Sequence, residues 1–230
     1  MNIFEPLIHS YDYDFRGKVF LECGTGADGV ELEPFESIGS CFYIEANPDH
    51  FQKFTNKYPT KQVYNMALSD IDGEVDFVMT SHSGNSSISH HQEHIKELIS
   101  YGSTFQTIKC KSITYPSLMS MIGSRIDVFV LDVEGHELSI LKSLLDVESD
   151  ILPDILVVEC GYDWKDRLHV LKQLGYGLDF HFYNNGYLSK QQIVKRQDVI
   201  SRIRNMWKTW TWNNTVIYDG TEFDLFRETN

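Results

Sequence analysis

Residues 21–31 read LECGTGADGVE, and the reading of this stretch decides the fold. An apolar run, VFLE, leads into Gly24, Gly26 and Gly29 at G-x-G-x-x-G spacing. That spacing marks a strand running through a tight loop into a helix, where glycines admit positive φ and let a ligand approach backbone N–H groups. The loop alone does not name its ligand, because several nucleotide-bearing cofactors are held in this way.

Outward from the loop, strand-like runs recur at VFLEC (19–23), CFYIE (41–45), VYNM (63–66), DVFVLDV (127–133) and ILVVE (155–159). They are separated mostly by helical patterns, and continuous apolar runs of this length suit parallel strands covered on both faces. Pro48 fits the first turn of a helix through PDHFQKFTNK. Gly135 opens another, GHELSILKSLL, with Leu138, Leu141, Leu144 and Leu145 expected on one face. A third, DWKDRLHVLKQLG, runs from Asp163 to Gly175. The chain reads as a single domain over residues 1–230 with two insertions. The first, near 80–115, follows from GEVDFVM and TFQTIKCKSI, whose alternation predicts a short antiparallel addition around a helix near 89–101. The second, 184–212, lies between LDFHFY (178–183) and TVIYD (215–219), which are expected to be the last two strands.

Composition narrows the class. A chain of 230 residues, 42% hydrophobic, can bury one sizeable core. No run approaches the length of a membrane span, and MNIFEPLIHS lacks the order of a signal peptide, so a cytoplasmic protein without a membrane partner is expected. Without an export signal, the sequons at Asn85 and Asn213 are not expected to be modified. Cys23, Cys41, Cys110 and Cys160 are too scattered for a disulfide or zinc framework. A formal charge of −13 argues against nucleic acid as a partner and for a small or neutral one. The locally basic KRQDVISRIRNMWKTWTW (195–212) reads first as a helix and strand whose tryptophans cover the core. Homo-oligomerisation stays open.

Two carboxylates then discriminate between cofactors. Glu45, about 20 residues beyond the loop, suits any ribose diol. Glu22, two residues before Gly24, would repel a pyrophosphate but attract the ammonium and sulfonium of S-adenosylmethionine. An NAD-dependent oxidoreductase is the alternative, opposed by Glu22 and by the lack of a Tyr-x-x-x-Lys signature.

VFLECGTGADG, YIEANP, NMALSDIDGEVDF, GNSSI and IDVFVLDVEGHELSIL followed by ILVVEC resemble the FkbM family of methyltransferases over roughly residues 18–160, LDVEGHE being the most specific piece. The resemblance implies a class I methyltransferase (Rossmann-like) α/β fold: a mostly parallel seven-stranded sheet with an antiparallel last strand and helices on both faces. It also implies S-adenosyl-L-methionine as methyl donor and a hydroxyl of a small molecule or carbohydrate as acceptor. Carried over by position, Glu22, Cys23, Gly24, Thr25 and Gly26 surround the methionine part, Glu45 and Ala46 the ribose, and Asn65 and Ala67 the adenine, with Asp132 closing the site. The loop departs from the family, which more often shows Asp and an Ala-Asn pair, and residues 184–212 have no counterpart. A methyltransferase-like binding protein without activity is a further alternative, opposed by the intact loop, Glu45 and Asp132.

The segment DVEGHE (132–137) gathers polar groups at a strand end. Asp132, Glu134 or His136 can serve as the base that strips the acceptor's proton. Alternatively Asp132 and Glu159, with Glu134, hold a divalent cation such as Mg2+ that acidifies the hydroxyl. Glu134 or Glu137 can also merely cap the following helix. His90 and His94 have the i, i+4 spacing of a metal clamp, weighed against a solvated helix face. Ser86 and Ser87 are candidate substrate contacts, as is Trp207, which sits with Trp210 and Trp212 in the segment expected to close over the acceptor.

Overall fold

The computed structural model describes residues 4–27, 31–82, 84–206, 210–212 and 215–218. A helix α1 (Phe4–Ser10) precedes β1 (Val19–Cys23) and β2 (Ser40–Ile44). Asn47 then caps α2 (Pro48–Lys57), its side chain accepting from the backbone N–H groups of Asp49 and His50. After β3 (Gln62–Tyr64) come β4 (Ala67–Leu68), β5 (Gly73–Thr80), α3 (Gln92–Ser100), β6 (Phe105–Ile113) and α4 (Tyr115–Ile122). The second half runs β7 (Val128–Leu131), α5 (Glu137–Ser143), β8 (Ile155–Glu159), α6 (Trp164–Gln173), β9 (Tyr176–Phe182), β10 (Asn185–Lys190) and α7 (Gln197–Met206). It ends with β11 (Trp210–Trp212) and β12 (Thr215–Tyr218).

Seven strands form one sheet in the order β3-β2-β1-β7-β8-β10-β9, parallel from β3 through β8 and with β10 antiparallel to both its neighbours. This is the mostly parallel seven-stranded sheet of a class I methyltransferase fold that the resemblance implied. The apolar runs are continuous because alternate residues feed two cores. Leu21, Phe129, Leu131 and Leu156 pack with α5 and α6 on one face. Phe20, Val128, Val130 and Val157 pack with Leu7, Phe35 and Ile200 on the other. The expected addition is present as a separate three-stranded sheet in which β5 and β6 run antiparallel and β4 joins β6.

Three expectations are corrected. The last strand of the sheet is β10, not residues 215–219; β12 pairs with β11 in a sheet of its own. NGYLSK carries little apolar signal, yet Tyr187, Leu188 and Ser189 are fully buried between two neighbouring strands, and the Ser189 hydroxyl donates to the buried Asp179 carboxylate. Leu145 is exposed, because α5 gives way at Leu144 to a 3-10 turn whose three-residue repeat rotates it off the apolar face. The inserted helix starts at Gln92 with His91 as its N-cap, so His90 and His94 are not successive turns of one helix. Their Nε2 atoms converge instead on the backbone and side-chain oxygens of Asn85, at 2.7 and 2.9 Å. Among the described residues, no helix is long and apolar enough to cross a membrane.

Candidate functional site

Parallel pairing of β1 with β7 brings two loops together at the C-terminal edge of the sheet. Gly24 turns there at φ 86°, and a Cβ at this position would stand 1.6 Å from the Asp132 carbonyl oxygen. Only glycine allows that approach. Glu45 follows β2, and its buried carboxylate accepts from the Gly26 and Asn47 N–H groups, both at 2.7 Å. Asn65 braces the same corner by donating to the Glu45 and Ala46 carbonyls at 2.8 and 3.3 Å.

These contacts enclose one end of a cavity of about 250 Å3. Gly24, Gly26, Glu45 and Ala46 line that end. Met66, Ala67, Leu68, Phe77 and Ile88 make an apolar side, and Ser86, Asp132, Glu134 and His136 a polar one. The site therefore offers uncovered backbone, a ribose-sized acceptor group and an apolar slot in one line, the requirements of a nucleoside carrying a charged tail. Burial pushes the Glu45 carboxyl up to about 7, against the two N–H groups that favour its charged form.

Beyond Asp132 the chain makes a strained turn, with Glu134 at φ 59° and Gly135 at φ 113°. Glu137 holds this turn by accepting from the Val133 and Gly135 N–H groups at 2.8 and 2.9 Å. Its carboxylate also pairs at 2.8 Å with Arg167, a guanidinium that is itself 1% exposed. Arg167 donates further to the Glu159 carbonyl and the Asp163 carboxylate. Asp132, Glu134 and Glu159 crowd around this one cation. Burial and the Glu137 charge push the Asp132 carboxyl up to about 7, and burial with the Asp132 charge raises Glu134 and Glu159 well above the usual carboxylate range. Each of these carboxyls binds a proton more tightly than a free one, which makes its ionised form a stronger base.

A second cavity of about 210 Å3 lies across the turn. Glu134, Gly135, Glu159, His91, Tyr162 and Asn184 are among its lining. Among the described residues, Glu134 is the one that lines both cavities.

The other residues singled out from sequence have different placements. Glu22 is buried beneath Leu32, whose N–H it receives, and lines neither cavity; burial and the Glu31 charge push it up to about 8. Cys23 and Thr25 are buried behind the loop. His136 faces the first cavity with both ring nitrogens engaged, Nε2 by the Ser69 hydroxyl at 3.2 Å and Nδ1 by the Ser89 hydroxyl at 3.1 Å, and burial lowers its pKa. The Ser86 hydroxyl accepts from Thr80 N–H at the cavity margin. Ser87 is fully buried and spends its hydroxyl on the Val133 carbonyl at 2.9 Å, fastening the insertion to the strained turn. Trp207 lies outside the described residues. For a cation, ligand atoms of Asp132, Glu159 and Glu137 come within 4.8 Å of one another, with Glu137 in the place expected for Glu134.

Sequence reading missed Arg167, although Trp164, Arg167, Leu168 and Leu171 follow i, i+3, i+4, i+7 spacing and so share a buried face. An arginine on an apolar stripe signals a buried acid partner. On the apolar side of the first cavity it named Ala67 but missed Leu68, Phe77 and Ile88, and it missed Tyr162 in the second cavity, positions that carry no local pattern.

The Methyltransferase FkbM domain model matches residues 18–187. No curated protein matches the chain. Among solved structures it is similar to a magnesium protoporphyrin IX methyltransferase from Synechocystis with bound S-adenosylmethionine, at 10% identity and TM-score 0.41, covering 79% of this chain and 71% of that one. A TehB-like SAM-dependent methyltransferase from Corynebacterium glutamicum shares 13% identity at TM-score 0.39, covering 76% of this chain and 82% of that one. A precorrin-6y C5,15-methyltransferase from Geobacter metallireducens shares 12% at 0.37, covering 78% and 81%.

Proposed function

The chain belongs to the FkbM methyltransferase family, and we propose that its S-adenosylmethionine-dependent reaction methylates a hydroxyl oxygen of a small molecule or sugar, with Glu134 as the base. The observation that carries this reading is the position of Glu134 in the wall common to both cavities. A hydroxyl acceptor must lose its proton as it is methylated, and a carboxyl between donor and acceptor spaces is where that proton is best received.

The first cavity fits the cofactor through its own residues. Glu45 would hold the ribose, Ala67, Leu68 and Phe77 would flank the adenine, and the bare backbone at Gly24 and Gly26 with Asp132 would take the methionine end, all of them residues that line this cavity. When bound, S-adenosylmethionine supplies an electrophilic methyl group. Around it, the Asp132, Glu134 and Glu137 carboxyls favour a positive centre. Glu134 takes the acceptor's proton, and the neighbouring Asp132 and Glu159 carboxyls with Arg167 spread the charge change over a connected cluster. His136, tied at both nitrogens, positions the turn.

A second reading keeps the reaction but gives deprotonation to a divalent cation on Asp132 and Glu159. It is favoured by the buried Asp132 Oδ1, which has no hydrogen-bond partner among the described residues. It is opposed by Arg167, which already brings positive charge to the cluster. One series separates the two. Glu134→Gln is expected to keep S-adenosylhomocysteine affinity within about threefold and to lower turnover by about 10² or more, with EDTA without effect. Full turnover in Glu134→Gln removes Glu134 as base, and EDTA inactivation restored by Mg2+ establishes the cation.

A further inference from the structure

One short stretch of the insertion meets both cavities with alternate residues. Gly84, Ser86 and Ile88 line the first cavity and Asn85 lines the second, while Ser87, seated in a β-bridge with Val78, donates its hydroxyl to the Val133 carbonyl beside Glu134. Side chains alternate in this way along a strand that parts two spaces. Resting on the reading of the first cavity as the cofactor's, we infer that this strap couples the two cavities: a cofactor seated against Ser86 and Ile88 fixes Asn85, and Asn85 is the positioning residue that holds α3 closed over the second cavity. Three observations carry this.

The first is how Asn85 is engaged. Its backbone carbonyl accepts from His90 Nε2 at 2.7 Å and its side-chain oxygen from His94 Nε2 at 2.9 Å, one histidine on each side of the α3 start at Gln92. An amide oxygen only accepts, so both imidazoles carry their proton on Nε2 and both bonds run from the helix end to one residue. His94 and His91, the N-cap of α3, line the second cavity together with Asn85, so the position of α3 sets the width of that space.

The second is how little else holds α3. Among the described residues, it gives none to the two large apolar clusters on the faces of the main sheet. Its buried side chains are Glu97 and Leu98, and the Glu97 carboxylate accepts from the Tyr101 and Tyr162 hydroxyls, both at 3.1 Å. The His91 ring stacks on Tyr162 at a centroid distance of 4.9 Å. A helix held mainly by polar and aromatic contacts opens at a lower free energy than the cores.

The third is the path between the cavities. Among the described residues, none of α3 lines the first cavity, so a ligand there reaches α3 most directly through the strap. The strap is registered against β5: Val78 and Ser87 exchange backbone N–H bonds at 2.8 and 3.0 Å, and the Ser86 hydroxyl accepts from Thr80 N–H at 3.1 Å. A ligand packed on Ser86 and Ile88 favours the one strap position that presents Asn85 to both histidines, and by that preference shifts α3 toward closure. The cofactor is thereby in place before the second cavity takes its final shape.

The test is hydrogen exchange read by mass spectrometry on the full chain, with and without S-adenosylhomocysteine, alongside calorimetry. S-adenosylhomocysteine is expected to slow exchange across α3 by about fivefold or more beyond any slowing in α4, which lines neither cavity. Asn85→Ala is expected to lose this extra slowing while S-adenosylhomocysteine affinity stays within about tenfold, and Asn85→Asp, which keeps the acceptor for His94, is expected to restore it. His94→Ala removes the same bond from the helix side and decides the point if Asn85→Ala folds poorly. Binding with no response in α3 beyond that in α4, or full transmission in both Asn85→Ala and His94→Ala, overturns the coupling and leaves the cofactor reading standing. Absence of binding in calorimetry overturns both.

Discussion

Replacing Arg167 by methionine removes the one buried cation from the acid cluster at nearly constant side-chain volume. The guanidinium is 1% exposed, pairs with a Glu137 carboxylate that is 0% exposed, and donates to the Glu159 carbonyl at 2.7 Å. Breaking a buried pair from one side costs about 3–5 kcal/mol when the remaining acid is charged. The cost depends on pH because the Arg167 charge holds down the proton affinity of Asp132, Glu134 and Glu159. All three are raised above their unfolded values, so the folded chain binds more protons than the unfolded one. Their contribution is present at low pH and is lost as pH rises through the folded pKa, which for Asp132 is about 7. Without Arg167 the loss with rising pH is steeper.

The variant is therefore expected to be destabilised by about 3–5 kcal/mol at pH 8, or about 6–20 °C in Tm for a chain of this size, and to recover at least half of that at pH 5.5. Urea and thermal melts across this range measure it. Arg202→Met, which removes an exposed pair with Asp198 at 2.9 Å, is the control expected to change stability by less than about 0.5 kcal/mol. Equal losses at pH 5.5 and pH 8 would mean that Arg167 acts through packing and hydrogen bonds alone, and the charge argument would fall.

Gly24→Ala forces a Cβ into the Asp132 carbonyl and is expected to weaken S-adenosylhomocysteine binding by about 10² or more in calorimetry, because the two loops must separate; near-normal affinity would show that their contact does not shape the site. S-adenosylhomocysteine affinity is also expected to fall with pH below about 7, by up to about tenfold per unit, because Glu45 must be ionised to accept from two ribose hydroxyls. Glu45→Ala should weaken binding by about 1.5–3 kcal/mol and flatten that profile; an unchanged profile would assign the titration to another group.

What was legible in the sequence follows from how each signal is written. Buried parallel strands such as VFVL show as continuous apolar runs because both faces are covered, and all four residues are buried. The glycine loop showed because a backbone contact leaves a mark no other residue can make. β10 was invisible for the complementary reason: Ser189 and Lys190 spend their polarity on partners that only the fold supplies, Ser189 on the Asp179 carboxylate and Lys190 Nζ on the Ser149 and Leu152 carbonyls. A hydropathy pattern cannot register a polar group whose partner lies about 40 residues away. The second cavity was invisible likewise, since its walls come from α3, the ends of β8 and β10, and the DVEGHE turn, which only the fold brings together.

The carboxyl nearest the glycine loop in sequence is not among those that would repel a pyrophosphate cofactor. Glu22 was to provide the repulsion, but β1 directs Leu21 and Cys23 to one core and Phe20 to the other, so Glu22 shares Phe20's face and ends under Leu32. Pushed up to about 8, it is mostly neutral at pH 7. The carboxyls lining the cavity are those of Glu45, Asp132 and Glu134, and among the described residues that line it the basic side chains are His50 and the doubly bonded His136. A pyrophosphate placed there would face carboxyls without a compensating cation, whereas a sulfonium and an ammonium would draw protons off the raised carboxyls and be held by the charges that remain. The preference for a cationic cofactor thus follows from the cavity as folded, carried by residues at the ends of β2 and β7, with Glu22 reduced to holding the loop that covers it.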